Sequence, residues 1–412
     1  MAVPITRADA LALDAADPLA PLRQRFVLPD GVLYLDGNSL GPRPVGVAER
    51  VSRVITDEWG TDLIRSWNLH GWMDAPKRIG DRIGALVGAA PGQVGAGDST
   101  SVNVYKQLVA ALWMRPGRRT IVTEAVNFPT DRYLVDAVAA QFGATVRIAD
   151  ANDVAASLDQ TVAVVILTHV NYRTGAMHDL AAVTAAAQAC GALMLWDLAH
   201  SAGAVEVDLD GNGVDLAVGC TYKYLNGGPG APAFVYVASR HQDAYRQPIT
   251  GWLGHADPFA MRDAFVPADG IGRAIVGTPN LLSLMALDAG LDAFVGVDMT
   301  AVRAKSVALT ELFVALVAER LADAGFTLAS PADPTRRGSQ ICLDHVEGYG
   351  IVQALIARGV IGDYREPGIC RFGFAPLYIG FADVWDAIDH LVRVMVREEW
   401  ARPEHRVRAA VT

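Results

Sequence analysis

Val162-Ala-Val-Val-Ile-Leu167 is followed by an alanine-rich stretch, Leu180 to Cys190, and then by Ala192-Leu-Met-Leu-Trp196. The outer segments are short, apolar runs, which suits strands buried on both faces. The middle segment has the length and composition of a helix. A buried strand, a helix and a second buried strand form the repeating unit of a parallel sheet. The same alternation extends outward. Arg119 to Thr123 reads as a strand, Thr130 to Phe142 as a helix and Thr145 to Ile148 as a strand. Leu216 to Cys220 and Ala233 to Val237 read as further strands, and Val102 to Trp113 as a helix. From about residue 90 to 294 the sequence therefore predicts an α/β domain with a mostly parallel sheet. Beyond it the pattern changes. Thr300 to Ala324 is a long amphipathic helix ending at Gly325, and helices are expected over Gly348 to Arg358 and Ala382 to Glu399. Strands are expected at Gln340 to Asp344 and Cys370 to Phe374. This mixture suits a smaller α+β domain, against which the segment before about residue 65 is expected to pack.

Composition narrows the function. The 412 residues are 51% hydrophobic, which excludes a disordered chain. A net charge of −10 opposes binding to a phosphate backbone. The four cysteines, Cys190, Cys220, Cys342 and Cys370, are far apart and form no CxxC pair. Reduced thiols in a cytoplasm are the simple reading, with no disulfide framework and no metal site. Met1 to Ala20 contains Asp9, Asp14 and Asp17, unlike a secretory signal. No uncharged apolar window is long enough to span a membrane.

The chain has only four lysines, Lys77, Lys106, Lys223 and Lys305. Lys77 lies in a polar helical stretch and Lys305 on the long amphipathic helix, so both are expected on solvated faces. Lys106 lies in the turn after a Ser/Thr-rich helix start, with the surface as the expected place and a position near a ligand as the alternative. Lys223 differs. An apolar strand delivers it within Val218-Gly-Cys-Thr-Tyr-Lys-Tyr-Leu-Asn-Gly-Gly-Pro-Gly230. An isolated lysine there either snorkels to solvent or acts as a desolvated nucleophilic amine.

The neighbouring segments supply what such an amine would need. Asp197 ends a strand, and ligands of α/β sheets sit outside the carboxyl ends of the strands. An aspartate there could keep a pyridine nitrogen protonated and so make pyridoxal phosphate (PLP) an electron sink. Gly97-Asp-Ser-Thr-Ser101 runs straight into a helix, and hydroxyls with free N–H groups at a helix start bind phosphate. Asn127-Phe-Pro-Thr-Asp131 places an aromatic near the same rim.

Phe128-Pro-Thr-Asp131, Asp197-Leu-Ala-His200, Tyr222-Lys223 and Gly227-Gly-Pro-Gly230 together resemble the fold-type-I PLP enzymes of the aminotransferase class V group. Within that group the chain is similar to the kynureninase family over nearly its whole length. The likeness runs from Tyr34-Leu-Asp-Gly-Asn-Ser-Leu-Gly-Pro-Arg43, through Gly251-Trp-Leu-Gly-His255, to Cys370-Arg-Phe-Gly-Phe-Ala-Pro-Leu-Tyr378. The resemblance implies a large PLP-binding domain (66–295) with a mostly parallel seven-stranded sheet and a small α+β domain (296–412), joined by an N-terminal segment (1–65). It implies that Lys223 carries PLP and moves the α-proton, that Asp197 pairs with the pyridinium and that Phe128 stacks on the ring. Thr100, Ser101 and Tyr222 would hold the phosphate, and Trp252 would reach in from the second subunit of a homodimer. Asp131, Thr168 and His200 match other cofactor contacts, and Thr278 a subunit-crossing position. Arg371 would grip the substrate α-carboxylate as a bidentate fork. Trp72 and Asn38 are expected near the substrate. The implied reaction cleaves L-kynurenine into anthranilate and L-alanine in tryptophan degradation, with Tyr222 as a proton donor. Animal members carry His and Asn where this chain has Trp72 and Thr278. That matches the bacterial type, which favours kynurenine over its 3-hydroxy analogue.

Two other readings fare worse. Gly37-Asn-Ser-Leu-Gly41 matches the GxSxG pattern of a hydrolase elbow, which must open directly into a helix; Pro42 and Pro44 oppose that for Ser39. No GxGxxG stands between a strand and a helix, so a Rossmann dinucleotide site is not expected. Another class V enzyme, such as a cysteine desulfurase or selenocysteine lyase, would need a mobile catalytic cysteine. Cys342 and Cys370 fall in expected strands instead.

Overall fold

The computed structural model describes residues 5–408; the outermost ends of the 1–65 and 296–412 segments lie outside that range. Seven strands form the large sheet: β1 (Val94–Ala96), β2 (Thr120–Glu124), β3 (Thr145–Ala149), β4 (Val162–Thr168), β5 (Leu193–Asp197), β6 (Leu216–Gly219) and β7 (Phe234–Val237). Their order is β1-β7-β6-β5-β4-β2-β3. Only β7 runs antiparallel to its neighbours; the pairings from β6 through to β3 are all parallel. Every residue of β4 and β5 is buried, as their unbroken apolar runs require.

Alternation along these strands serves two cores. Val164, Ile166, Leu193 and Leu195 face helices α1 (Thr100–Met114) and α2 (Pro129–Phe142). Val165, Leu167, Met194 and Trp196 face the opposite way, into a core that continues toward the C-terminal part. The chain passes from β2 outward to β3 and then back to β4 on the other side of β2. This reversal opens a crevice beyond the carboxyl ends of β2 and β4, where α/β sheets bind ligands.

The C-terminal part contains helix α3 (Met299–Arg320) and an antiparallel sheet of β8 (Thr327–Leu328), β9 (Gln340–Asp344), β10 (Asp363–Arg365) and β11 (Ile369–Gly373). Helices α4 (Gly348–Ile356) and α5 (Phe381–Val396) complete it. The long helix stops at Arg320, one turn before the expected Gly325. The three-residue β10 carries no apolar run and was not anticipated. The N-terminal segment divides between the two parts. Helix Arg7–Ala16 lies on α5, where Asp14 accepts the Phe381 and Ala382 N–H groups at 2.6 and 2.9 Å. Helix Val47–Arg53 packs instead on Leu281–Gly290. Between them, Leu33–Tyr34 pairs in parallel with Val360–Ile361 and brings residues 36–41 beside β11.

Candidate active site

The register of the large sheet assembles the rim. Thr168 pairs with Asp197, and Asp197 with Val218, so the segments carrying Thr168, Asp197 and Lys223 emerge side by side. After β2, the Asn127 side-chain carbonyl accepts the Phe128 N–H at 2.8 Å and the Thr168 hydroxyl, which fixes the entry to α2. That turn projects Phe128, whose ring meets Tyr172 edge-on at 5.2 Å, and buries Asp131.

Asp131 and Asp197 are hydrogen-bonded to each other in this dry crevice. Burial raises the Asp131 carboxyl well above its ordinary range, and repulsion from Asp197 adds to it. Burial also raises Asp197, but the Lys223 charge and the Ala199 N–H, 2.8 Å away, favour its anion. Asp131 therefore holds the proton and donates it to an ionised Asp197. The arrangement offers a buried, oriented carboxylate to a cationic group in the crevice.

Lys223 Nζ lies 3.2 Å from His200 Nε2 and 5.8 Å from the Tyr222 ring centroid. It makes no ion pair among the described residues. His200 is buried and held neutral by desolvation and by the charges of Lys223, Arg371 and Arg365. The other lysines do not match the surface expectation uniformly. Lys77 is exposed as anticipated. Lys106 is buried against Asp98 at 2.6 Å, and Lys305 is buried against Asp17 at 2.7 Å. Periodicity could not show this, because each partner comes from outside the helix. The correction strengthens the case for Lys223: the two other buried lysines are neutralised by carboxylates, and Lys223 faces a neutral imidazole.

A cavity of about 250 Å³ is lined by Ser99, Thr100, Ser101, Phe128, Asp131 and Tyr222, the neighbour of Lys223, among others. Ser99 alone caps α1, accepting the Val102 N–H at 3.3 Å. Thr100 and Ser101 are thus not needed for the cap and remain for an anion at the helix start. The Tyr222 hydroxyl is raised above the ordinary phenol range by burial and by Cys220 and Asp197, so it keeps its proton near neutral pH.

Arg371 arrives from β11. It is 2% exposed, and its Nε donates to Asp363 Oδ1 at 2.7 Å while Nη2 donates to Asp363 Oδ2 and, at 2.8 Å, to Ser39 Oγ. Nη1 donates to the Tyr172 carbonyl at 2.6 Å. The expectation of a free bidentate fork is therefore corrected: Asp363 already occupies the Nε–Nη2 edge, and only the Nη1 side remains for a ligand. Asn38 is fully buried, and neither polar atom of its amide has a protein partner. Its Oδ1 packs so closely on Gly373, two residues beyond Arg371, that a Cβ there would lie 2.0 Å away. Ser39 donates to Asp363 at 2.6 Å and has no histidine partner, and the next helix starts only at Val47. A hydrolase elbow is absent.

Of the anticipated residues, Thr100, Ser101, Phe128, Asp131 and Tyr222 line the cavity of about 250 Å³, and the others do not. The Trp72 indole is buried and donates to Glu58 at 2.8 Å. Trp252 stacks edge-on against Phe259 at 5.7 Å, and Thr278 is exposed.

The C-terminal part, residues 302–391, matches the family described as the kynureninase C-terminal domain. The chain is 55% identical to a kynureninase of Burkholderia pseudomallei (strain K96243), over 99% of this chain and 100% of that one. It is 53% identical to a kynureninase of Pseudomonas fluorescens over the same shares. The chain belongs to the kynureninase family.

Solved structures place this family member in the fold-type-I class. The Escherichia coli cysteine desulfurase CsdA aligns with a TM-score of 0.76 at 20% identity, covering 92% of this chain and 98% of that one. A C-DES mutant with glycine covalently linked to its PLP cofactor aligns at 0.78 and 17% identity, covering 90% and 98%. At such identities the likeness is one of fold. Cys342 and Cys370 do not suit persulfide chemistry. They are buried in β9 and β11, and desolvation pushes the Cys342 thiol up to about 11 and that of Cys370 higher.

Sequence reading missed Asp363, Asp36 and Tyr172. Asp363 pairs directly opposite Arg371 in the β10–β11 register, so recognising β10 would have exposed it. Asp36 lies beside Asp363, and burial with that repulsion raises its carboxyl to about 7.

Proposed function

We propose that the chain is a PLP-dependent hydrolase cleaving L-kynurenine into anthranilate and L-alanine. The observation that carries this reading is the convergence of Lys223, the Asp131–Asp197 pair and the Thr100–Ser101 hydroxyls at one sheet rim. The residues fit the group: the Asp197 carboxylate would pair with a pyridinium, Thr100 and Ser101 offer an anion cradle, and Lys223, which makes no salt bridge among the described residues, offers the amine. When bound, PLP supplies the electron sink that makes the substrate α-proton removable.

The chain's own residues do the rest. Lys223 holds the cofactor and, once released, accepts and returns the α-proton at Nζ. Ionised Asp197 holds the pyridine nitrogen protonated, with Asp131 orienting it. Thr100, Ser101 and Tyr222 hold the phosphate, Phe128 covers the ring, and Thr168 and His200 border it. The remaining Nη1 side of Arg371, with the Asn38 amide, binds the substrate α-carboxylate. After water adds to the γ-ketone and the Cβ–Cγ bond breaks, with the γ-carbon leaving as the anthranilate carboxyl, Tyr222, whose phenol stays protonated, would donate its proton to Cβ.

Trp252 and Thr278 act across the interface of a homodimer in this reading, whereas Trp72 is buried within its own chain against Glu58. The exposed apolar residues Ile55, Trp59, Leu63, Ile64 and Leu69 support such an interface. Kynurenine is preferred over the 3-hydroxy compound. The enzyme works in the cytoplasm, in tryptophan catabolism and the supply of NAD precursors; among the described residues no helix is long and apolar enough to cross a membrane.

The test is direct. Purified protein with PLP should show a visible absorbance fixed by borohydride, and added kynurenine should release fluorescent anthranilate. Absence of that absorbance after PLP addition refutes the cofactor assignment; its presence without anthranilate refutes the substrate. Tyr222→Phe should retain cofactor binding and slow product formation. A wild-type rate would remove Tyr222 as donor.

A further inference from the structure

We propose that Lys106 is a positioning residue: a buried strut that sets both the shape and the charge of the phosphate cradle without touching the ligand. The inference rests on reading Thr100 and Ser101 as that cradle. Lys106 lies on α1 and is 1% exposed. Helical side chains lean toward the N-terminus, so its stem runs back toward the start of the helix. There Nζ binds Asp98 Oδ2 at 2.6 Å and donates to the Ala274 carbonyl at 2.8 Å.

Asp98 immediately precedes the cradle and has a φ of +56°. This left-handed conformation is disfavoured for residues with a side chain, though aspartate and asparagine tolerate it best. Backbone bonds tie the turn to one side, from Ala233 N to Asp98 O at 2.9 Å and from Gly97 N to Ala233 O at 2.8 Å. Lys106 supplies the tie on the other side, and through Ala274 it also fixes the turn that leads to Thr278.

Charge gives the second reason for a lysine here. An unpaired carboxylate beside the start of α1 would repel a phosphate dianion and offset the attraction of the helix N-terminus. Lys106 cancels it. A hydrophobic residue of similar length could fill the space but would leave the cradle acidic.

The experiment titrates apoprotein with PLP, following the visible absorbance of the bound cofactor and equilibrium dialysis, for wild type, Lys106→Met, Asp98→Asn and the double variant. Melting of each apoprotein is measured alongside. Lys106→Met should raise the Kd for PLP at least tenfold, while the absorbance at saturation stays that of wild type. Asp98→Asn, which keeps the turn but leaves the Lys106 cation uncompensated beside the cradle, should lower it two- to tenfold. The double variant should bind more tightly than Lys106→Met alone, because the unneutralised carboxylate is gone. An unchanged Kd in Lys106→Met, even with a lower melting temperature, overturns the proposal. So does a double variant no tighter than Lys106→Met. If Lys106→Met does not fold, Asp98→Asn decides, and a Kd within twofold of wild type overturns the proposal. A wild-type protein that develops no absorbance overturns the cofactor reading itself, and the strut with it.

Discussion

Replacing Asp363 with asparagine tests how Arg371 is held. The change is nearly isosteric and removes one charge from a buried pair, both partners 2% exposed. In the wild type the carboxylate takes two N–H bonds along the Nε–Nη2 edge of Arg371. Asparagine keeps one acceptor and turns an N–H₂ toward the other donor, so one charge-assisted bond is lost. Such a bond is worth about 1.5–3 kcal/mol, which corresponds to roughly a 10- to 150-fold loss in kcat/KM. The loss should fall on KM, because in the proposed reading Arg371 meets the unreacting α-carboxylate in ground state and transition state alike. Asp36, whose carboxyl is raised partly by repulsion from Asp363, should ionise more readily in the variant and return part of the orientation. Steady-state rates of anthranilate release across substrate concentration and pH measure all of this. Arg365→Gln is the control. Arg365 reaches the same carboxylate at 2.8 Å, but its side chain is 36% exposed, so its removal should cost less than about 1 kcal/mol. A KM for Asp363→Asn within twofold of wild type would refute the argument that Asp363 orients Arg371.

The two carboxylates opposite Lys223 should respond unequally. Asp197→Asn removes the anion and should cost about 2–4 kcal/mol in kcat/KM with weaker cofactor binding, while Asp131→Asn, which still donates, should stay within about tenfold; equal losses would refute the assignment of the proton. Asp36 has a folded pKa of about 7 against an ordinary 3.8, so the wild type should lose up to ~4 kcal/mol of stability as pH rises through that window. Its ionisation above about pH 7 should also raise KM by placing a second anion near Arg371; Asp36→Asn should flatten both dependences, read by denaturant melts and initial rates. Lys305→Met leaves Asp17, 4% exposed in its side chain, without its counter-ion and should destabilise the fold by about 3–5 kcal/mol in urea titrations, with no effect of comparable size on KM.

The large sheet was legible because parallel strands buried on both faces write themselves as unbroken apolar runs. Val162–Thr168 and Leu193–Asp197 were found to within one residue for that reason. The rim followed, since a residue at the end of such a strand has one place to go, and Asp197 and Lys223 meet there. The small sheet was only half legible. Gln340–Asp344 and Ile369–Gly373 carry short apolar runs, but Asp363–Arg365 is charged at both ends, so the strand that supplies the Arg371 partner looked like loop.

Charges were the least legible feature, and the lysines show why. Lys106 and Lys305 sit at helical positions that read as polar and solvated, and in the fold each is buried against a carboxylate from another segment. Local pattern reports where a helix faces the core. It does not report that the core at that point offers an anion. Arg371 repeats the lesson in the active site: its residue type announced a carboxylate partner, and the fold already supplies one in Asp363. The guanidinium is held by a bidentate pair that belongs to the protein and by the Ser39 and Tyr172 oxygens, which leaves the substrate a narrower edge, one Nη1 N–H, beside the buried Asn38 amide. Selectivity for an amino-acid substrate at this end of the site then depends on how rigidly Asp363 and Ser39 hold that edge, more than on the presence of an arginine.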